Sequence, residues 1–112
     1  MSTTDLSTKP NAAELQSKFD AAFVELFSAS SEIDPFAVYT IKRLDEESGL
    51  DIAKRILLGT GQQTGLMRLW QQDRLDLSVE MLALRPEFSA LFSSKELEAA
   101  RERLSALGFS PD

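Results

Sequence analysis

The segment SSKELEAARERLSALGF, residues 93–109, decides the fold class because it carries the signals of a complete helix. Ser93 and Glu96 have the spacing of a capping box, which satisfies backbone N–H groups at a helix start. The apolar residues that follow repeat at steps of three or four, as one face of a helix requires: Leu97, Ala100, Leu104 and Leu107. We predict that Gly108 ends this helix and that Phe109 folds back on Leu104, as in a Schellman ending.

The same helical period recurs along the chain, and no segment alternates apolar and polar residues as a half-buried strand does. Near the N-terminus it produces one apolar stripe: Leu15, Phe19, Ala22, Phe23, Leu26 and Phe27. We therefore predict an all-α fold, a compact bundle of about six or seven short helices without a sheet. Residues 1–10 are rich in serine and threonine and are predicted to be a disordered tail, with residues 11–112 forming a single helical domain.

Glycines mark two of the predicted connections between helices. Gly49 is expected to turn the chain with a positive φ. The stretch GTGQQTG, residues 59–65, is as rich in glycine as a phosphate-binding loop. It lacks the lysine of a P-loop, and its third glycine comes one residue too late for a dinucleotide loop. We predict that this stretch joins two helices and that its glycines supply turn conformations.

Composition excludes several kinds of site. The 112 residues include no histidine and no cysteine, so a zinc–thiolate site and a thiol nucleophile are excluded. These missing groups predict a protein that is not an enzyme and that uses no cofactor or metal. The net charge of −6 disfavours contact with nucleic acids and with anionic membranes. Because the polar start MSTTDLSTKP does not resemble a signal peptide, we expect a cytoplasmic protein.

Residues 50–58 and 64–73 leave a second interpretation open, a helix-turn-helix that binds DNA. The second helix of this pair and the segment before it carry side chains suited to base edges: Gln62, Gln63, Arg68, Gln71 and Gln72. The chain is acidic, however, and the connection is longer than this motif favours. An ordinary packed helix pair is therefore the favoured interpretation.

The segment QQDRLDLSVE, residues 71–80, places three acidic residues close to Arg74 in sequence. Asp73, Asp76 and Glu80 have a spacing that would offer oxygens to Mg²⁺ in a carboxylate-only metal enzyme. The favoured interpretation is structural: a helix restarts at Asp76 or Ser78, Asp76 sits where that helix needs a cap, and Arg74 pairs with one of the three carboxylates. Arg74 is accordingly predicted to be substantially buried.

Two parts of the chain are candidates for contact with a partner. The first is an acidic cluster that favours a solvated helix end but also suits a basic partner: Asp45, Glu46, Glu47 and Asp51. The second is the predicted helix that carries Arg68 and the single tryptophan, Trp70. Trp70 shares a helical side with Leu66 and Leu69, so core packing is favoured for it over an interface.

Two further expectations concern the surface of the molecule. The charged residues of KELEAARERL, residues 95–104, are expected to form an exposed face held by salt bridges: Glu98, Arg101, Glu102 and Arg103. Phe19, Phe23 and Phe27 present more aromatic surface than one docking face needs. This excess suggests a homodimer formed through the N-terminal helix.

The second half of the chain also resembles a set of small, uncharacterised bacterial all-α domains. The segments that carry the resemblance are GLDIAKRILL (49–58), GLMRLWQQDRLDLSVEMLAL (65–84) and PEFSALFSSKELEAARERLSALGF (86–109). Those domains share the LW-to-RLDL step, a following V-E helix and the P-E-F…L-F…E-L…A-R-x-R-L…G ending. The resemblance implies a bacterial or phage setting and implies no catalytic activity.

These observations favour a small acidic module that binds another protein, as an adaptor, an inhibitor or a regulator. A basic or nucleic-acid-binding protein is the expected partner because the chain itself is acidic. A role in bacterial defence or phage counter-defence fits this interpretation. The alternative is the helix-turn-helix DNA-binding regulator, although direct contact with nucleic acid is disfavoured by charge.

Overall fold

The computed structural model describes residues 12–35, 37–59 and 64–110, and of Thr64 only the backbone. These residues form six α-helices and no strand, so the predicted all-α fold is confirmed. In chain order the helices are α1 (Ala12–Ser30), α2 (Ala37–Lys42), α3 (Gly49–Leu58), α4 (Thr64–Gln71), α5 (Val79–Leu84) and α6 (Ser94–Ala106). The predicted tail, residues 1–10, lies outside the described residues. None of the described helices has the length and hydropathy needed to cross a membrane.

Helix α1 buries its phenylalanines inside the molecule. Phe19 and Phe23 have no exposed surface, and Phe27 is half-buried. Phe19 meets Phe88 and Phe92 edge-on, with ring centroids 5.3 and 5.4 Å apart, a geometry that the aromatic quadrupole favours. The chain itself therefore covers most of the aromatic surface that suggested a homodimer, and the premise that these rings are exposed is wrong.

The buried apolar side chains form two clusters. The larger cluster packs α1, α3, α5 and α6 together, and its most deeply buried large side chains are Phe19, Phe23, Leu57 and Leu82. The smaller cluster, formed by Leu66, Leu69, Leu75 and Leu104, holds α4 against α6. Half-buried Leu84 packs against both clusters. Since each fully buried leucine or phenylalanine contributes about 1.5–3 kcal/mol, the clusters account for the arrangement of the helices.

Helix α3 begins without the positive φ predicted for Gly49. The Ser48 hydroxyl caps the helix by accepting a hydrogen bond from the Asp51 N–H at 3.1 Å. Gly49 is the first residue of α3, and a Cβ placed on it would lie 3.1 Å from Cγ of Phe23. Glycine is therefore needed here because α3 approaches α1 closely, and the expected left-handed turn is wrong.

Helix α6 has the two ends that its sequence indicates. The Ser93 hydroxyl accepts from the Glu96 N–H at 3.2 Å, and the Glu96 carboxylate accepts from the Ser93 N–H at 2.8 Å. Gly108 has a left-handed φ of 77°, and the Phe109 N–H donates to the Leu104 carbonyl at 2.9 Å. Together these are a capping box and a Schellman ending.

Candidate functional site

The acidic residues between α2 and α3 form a corner of the molecule, which we call the acidic corner: Asp45, Glu46, Glu47 and Asp51. Asp45 ends a short 3₁₀ turn, Arg43–Asp45, and Asp51 lies in the first turn of α3. Asp45, Glu46 and Asp51 are exposed, whereas half-buried Glu47 pairs with Arg43 at 2.8 Å and also with Arg55. Two arginines therefore offset part of the negative charge, and the three exposed carboxylates face solvent.

Asp20 on α1 adds a carboxylate that the sequence interpretation did not include. Its Oδ1 accepts a hydrogen bond from the Leu50 N–H at 3.0 Å, which fixes α1 to the N-terminus of α3. Burial raises the pKa of Asp20 above its ordinary value of 3.8, the Leu50 N–H opposes this rise, and the charge of Asp51 adds to it. The influence of Asp51 places Asp20 beside the acidic corner.

Helix α4 presents an apolar outer face, formed by Met67 and Trp70. Leu66 and Leu69 on its inner face are buried, but the side chains of Met67 and Trp70 are 40% and 44% exposed. The prediction that Trp70 packs in the core is wrong. Helix α4 has eight residues and contacts its neighbours along one narrow stripe, so a large side chain beside that stripe is left uncovered.

Arg74 lies on the surface and not in the interior. Its Nε and Nη2 atoms donate to the two carboxylate oxygens of Asp76 at 3.1 and 3.2 Å, and both side chains are about half exposed or more. This pair lowers the pKa of Asp76 and raises that of Arg74. The predicted burial of Arg74 is wrong because Asp73, with a φ of 59°, turns the chain before Arg74 at the surface.

Asp76 does not cap the helix that follows it. It lies within a 3₁₀ turn, Leu75–Leu77, and the cap of α5 is Ser78, whose hydroxyl accepts from the Met81 N–H at 3.2 Å. Among the residues that the structure describes, no three acidic side chains are grouped to hold a metal ion. Asp73, Asp76 and Glu80 are therefore not gathered into the magnesium site considered above.

Glu80 instead forms a buried ion pair with Arg103 of α6. Arg103 Nη1 donates to Glu80 Oε2 at 3.0 Å and to the Ile56 carbonyl at 2.8 Å, and Nη2 donates to the Gly59 carbonyl at 2.6 Å. The side chains of Glu80 and Arg103 are 4% and 11% exposed. The expectation that Arg103 belongs to an exposed face is wrong, because it satisfies the last carbonyls of α3.

This ion pair lies in the wall of a cavity with a volume of about 380 Å³ that opens to the surface. Apolar side chains from four helices and a 3₁₀ turn form most of the wall: Phe27, Ile56, Leu66, Leu69, Leu77 and Val79. Among the described residues, polar groups of Ser30, Asp34, Thr40 and Ser78 also line it, together with Gly59, Gly65, Glu80 and Arg103. This cavity could not be predicted from the sequence, because its lining residues come from distant parts of the chain.

The described ends of the glycine-rich stretch do not use left-handed turns. Gly59 follows α3 in an extended conformation, with a φ of −70°. Gly65 lies in α4, where an added Cβ would be 2.6 Å from Asp34 Oδ2. At both positions the predicted turn conformation is wrong, and at Gly65 the glycine provides space for Asp34. Residues 60–63, and with them Gln62 and Gln63, lie outside the described residues.

The helix pair proposed to read DNA is not built as a closely packed unit. Helix α3 packs mainly on α1, α5 and α6, whereas α4 packs mainly on the Leu75–Leu77 turn. Of the described candidates for reading bases, Gln71 and Gln72 are exposed at the end of α4, and Arg68 is half-buried. The outer face of α4 beside them presents Met67 and Trp70, side chains that offer few hydrogen bonds to base edges.

Comparison with known proteins adds no relative. No protein-family model matches the chain, and neither a curated protein nor a solved structure matches it significantly. The resemblance to small bacterial helical domains therefore stays a prediction. What the chain does has to be inferred from its own surfaces and cavity.

Proposed function

We propose that this chain is a small acidic module that binds another protein and acts as an adaptor, an inhibitor or a regulator. The observation that carries the proposal is the outer face of α4, where Trp70 and Met67 are exposed side by side, one helical turn apart. Tryptophan is the residue most enriched at interface hot spots, and methionine adapts to irregular partner surfaces. An apolar helix face of this kind favours a protein partner over a DNA duplex.

The acidic corner supports a basic partner. Its exposed carboxylates, on Asp45, Glu46 and Asp51, lie between residues 45 and 51 of a chain whose net charge is −6. Such a charge distribution attracts a basic surface and accelerates association with it. A protein with a basic, nucleic-acid-binding groove has the required charge, and a cytoplasmic role in bacterial defence or phage counter-defence is the setting we propose.

A matched pair of variants tests the outer face of α4. Tagged wild-type protein, Trp70→Ser and Gln72→Ser serve as baits in a quantitative pull-down from the host extract. Residues 70 and 72 are both exposed, so neither change disturbs the core. A hot-spot tryptophan contributes at least about 2 kcal/mol, which corresponds to roughly a 30-fold loss of affinity for the Trp70→Ser variant. A partner that binds all three baits equally would show that the outer face of α4 is not the interface.

The charge of the partner is tested separately with the purified pair. The double variant Asp45→Lys/Glu46→Lys reverses two charges of the acidic corner, and Glu98→Lys/Glu102→Lys reverses two exposed charges on α6 as a control. We expect the first variant to associate at least tenfold more slowly at low salt and the second to behave like wild type. A gel shift at low salt that detects tight binding of duplex DNA by the wild-type chain would contradict the proposed function.

A further inference from the structure

The cavity beside the Glu80–Arg103 pair has the size and lining of a ligand site. Its volume of about 380 Å³ lies within the range of roughly 300–1,000 Å³ that small-molecule pockets occupy. Because the cavity opens to the surface, a molecule that covers its apolar wall removes that apolar surface from water, which is favourable.

Several polar groups of the wall already have partners within the protein. The Ser30 hydroxyl donates to the Phe27 carbonyl at 3.2 Å, and the Ser78 hydroxyl donates to the Leu75 carbonyl at 2.7 Å. Glu80 and Arg103 are paired with each other. A bound molecule would thus gain most of its affinity from apolar contact and little from new hydrogen bonds.

The ionisable groups of the wall offer a charged ligand no spare counter-charge. Among the described lining residues these groups are Asp34, Glu80 and Arg103. Glu80 and Arg103 are paired with each other, and Asp34 also interacts within the protein, so an anionic ligand would compete with Glu80 for Arg103 and a cationic ligand would compete for the carboxylates. A neutral ligand avoids that cost, because it requires no counter-charge in a partly buried space.

We propose that this cavity binds a small, neutral and predominantly apolar molecule, of the size of a one- or two-ring aromatic compound. The contacts would come from side chains of α1, α3, α4 and α5, among them Leu66, Leu69 and Val79. This site is distinct from the outer face of α4, because Leu66 and Leu69 point inward whereas Met67 and Trp70 are exposed. The proposal therefore does not depend on the proposed protein partner.

Three probes that share one ring system test the proposal: indole, which is neutral, indole-3-acetate, an anion, and tryptamine, a cation. Each is titrated into the full chain while methyl resonances of Leu66, Leu69 and Val79 are followed by NMR. We expect saturable shifts with indole and binding at least tenfold weaker with indole-3-acetate. Tryptamine, like the anion, is expected to bind at least tenfold more weakly than indole. Absence of saturable shifts with indole, or binding of either charged probe as tight as that of indole, would overturn the proposal.

Variants separate this site from the rest of the surface. Leu77→Phe adds volume at the wall and is expected to weaken indole binding at least tenfold. Its control is Leu97→Phe, at a half-buried position that is not among the lining residues, and this variant is expected to bind indole as the wild type does. Trp70→Ser is expected to bind indole as the wild type does. If Leu77→Phe fails to fold, the comparison of the three probes with the wild-type chain still decides the question. Loss of indole binding in Trp70→Ser would instead assign the probe to the outer face of α4.

Discussion

Replacing Arg103 by methionine removes the cation from the buried pair that links α6 to α5 and to the end of α3. Glu80, with a side chain only 4% exposed, would then carry a negative charge without its partner. The carbonyls of Ile56 and Gly59 would lose the guanidinium donors that lie 2.8 and 2.6 Å away. Methionine preserves most of the length and the apolar stem of the arginine, so the cost reports mainly the lost charge and hydrogen bonds.

The expected loss is large because the remaining charge is buried. Removing one partner of a buried ion pair costs about 3–5 kcal/mol. For a domain of this size, that loss lowers the melting temperature by roughly 12–20 °C. A typical domain has a total stability of about 5–15 kcal/mol, so this loss is at least about a fifth of the total.

Urea unfolding followed by circular dichroism measures the difference, with Arg101→Met as the control. Arg101 lies two residues away on the same helix but is exposed, and its replacement is expected to change stability by less than about 0.5 kcal/mol. The double variant Glu80→Met/Arg103→Met should recover much of the loss, because no uncompensated charge remains. If Arg103→Met were as stable as Arg101→Met, the buried pair would not be holding α3, α5 and α6 together.

Substitutions of Ser93, Asp20 and Glu96 test a helix cap and two carboxylates, of which Asp20 is half-buried and Glu96 is buried. Ser93→Ala removes the acceptor for the Glu96 N–H and should cost about 1 kcal/mol in urea unfolding, whereas Ser94→Ala should cost clearly less. Asp20 has a raised pKa in the folded state. As the pH rises through that pKa, Asp20 ionises and the free energy of unfolding falls, because the folded state disfavours the ionised carboxylate. Asp20→Asn keeps an acceptor for the Leu50 N–H and should therefore melt at or above the wild-type melting temperature at pH 7, whereas Asp20→Ala should melt below it. A melting temperature of Asp20→Asn below that of the wild type would refute this account. Burial raises the pKa of Glu96, but the Ser93 N–H and Lys54 more than offset this and lower it below 4.5. The stability that ionised Glu96 contributes is present above pH 4.5 and is lost as the pH falls through the lowered pKa. Thermal melts of Glu96→Gln should therefore show a weaker loss of stability in acid than those of the wild type. An identical loss would contradict the assignment.

The fold class was predictable because helical period and capping are local signals. Residues 93–109 contain both ends of α6 within one segment, and the structure has them where the pattern indicates. The same reasoning was wrong for Trp70, since the period identifies neighbours on a helix but not whether another element covers them. It was also wrong for Gly49, whose role depends on how closely Phe23 of α1 approaches.

The buried pair was missed, although a signal for it exists in the sequence. Arg103 lies three residues after Ala100 and next to Leu104, so it interrupts the apolar stripe of α6. Glu80 likewise lies three residues before buried Ala83 on α5. A charged residue within an apolar stripe indicates a buried partner, but the identity of that partner depends on tertiary packing. The cavity was unpredictable for the same reason, since its wall joins residues from Phe27 to Arg103.

Because Arg103 follows α3 and α5 in the sequence, its position also affects folding during synthesis. While a translating ribosome still encloses residues from 100 onward, Glu80 lacks its cation and the carbonyls at the end of α3 lack their donors. Ala100 and Leu104, both fully buried in the folded structure, are also missing from the emerged segment. The nascent chain therefore keeps apolar surface of this core accessible to chaperones until α6 leaves the exit tunnel, and the core is completed only then.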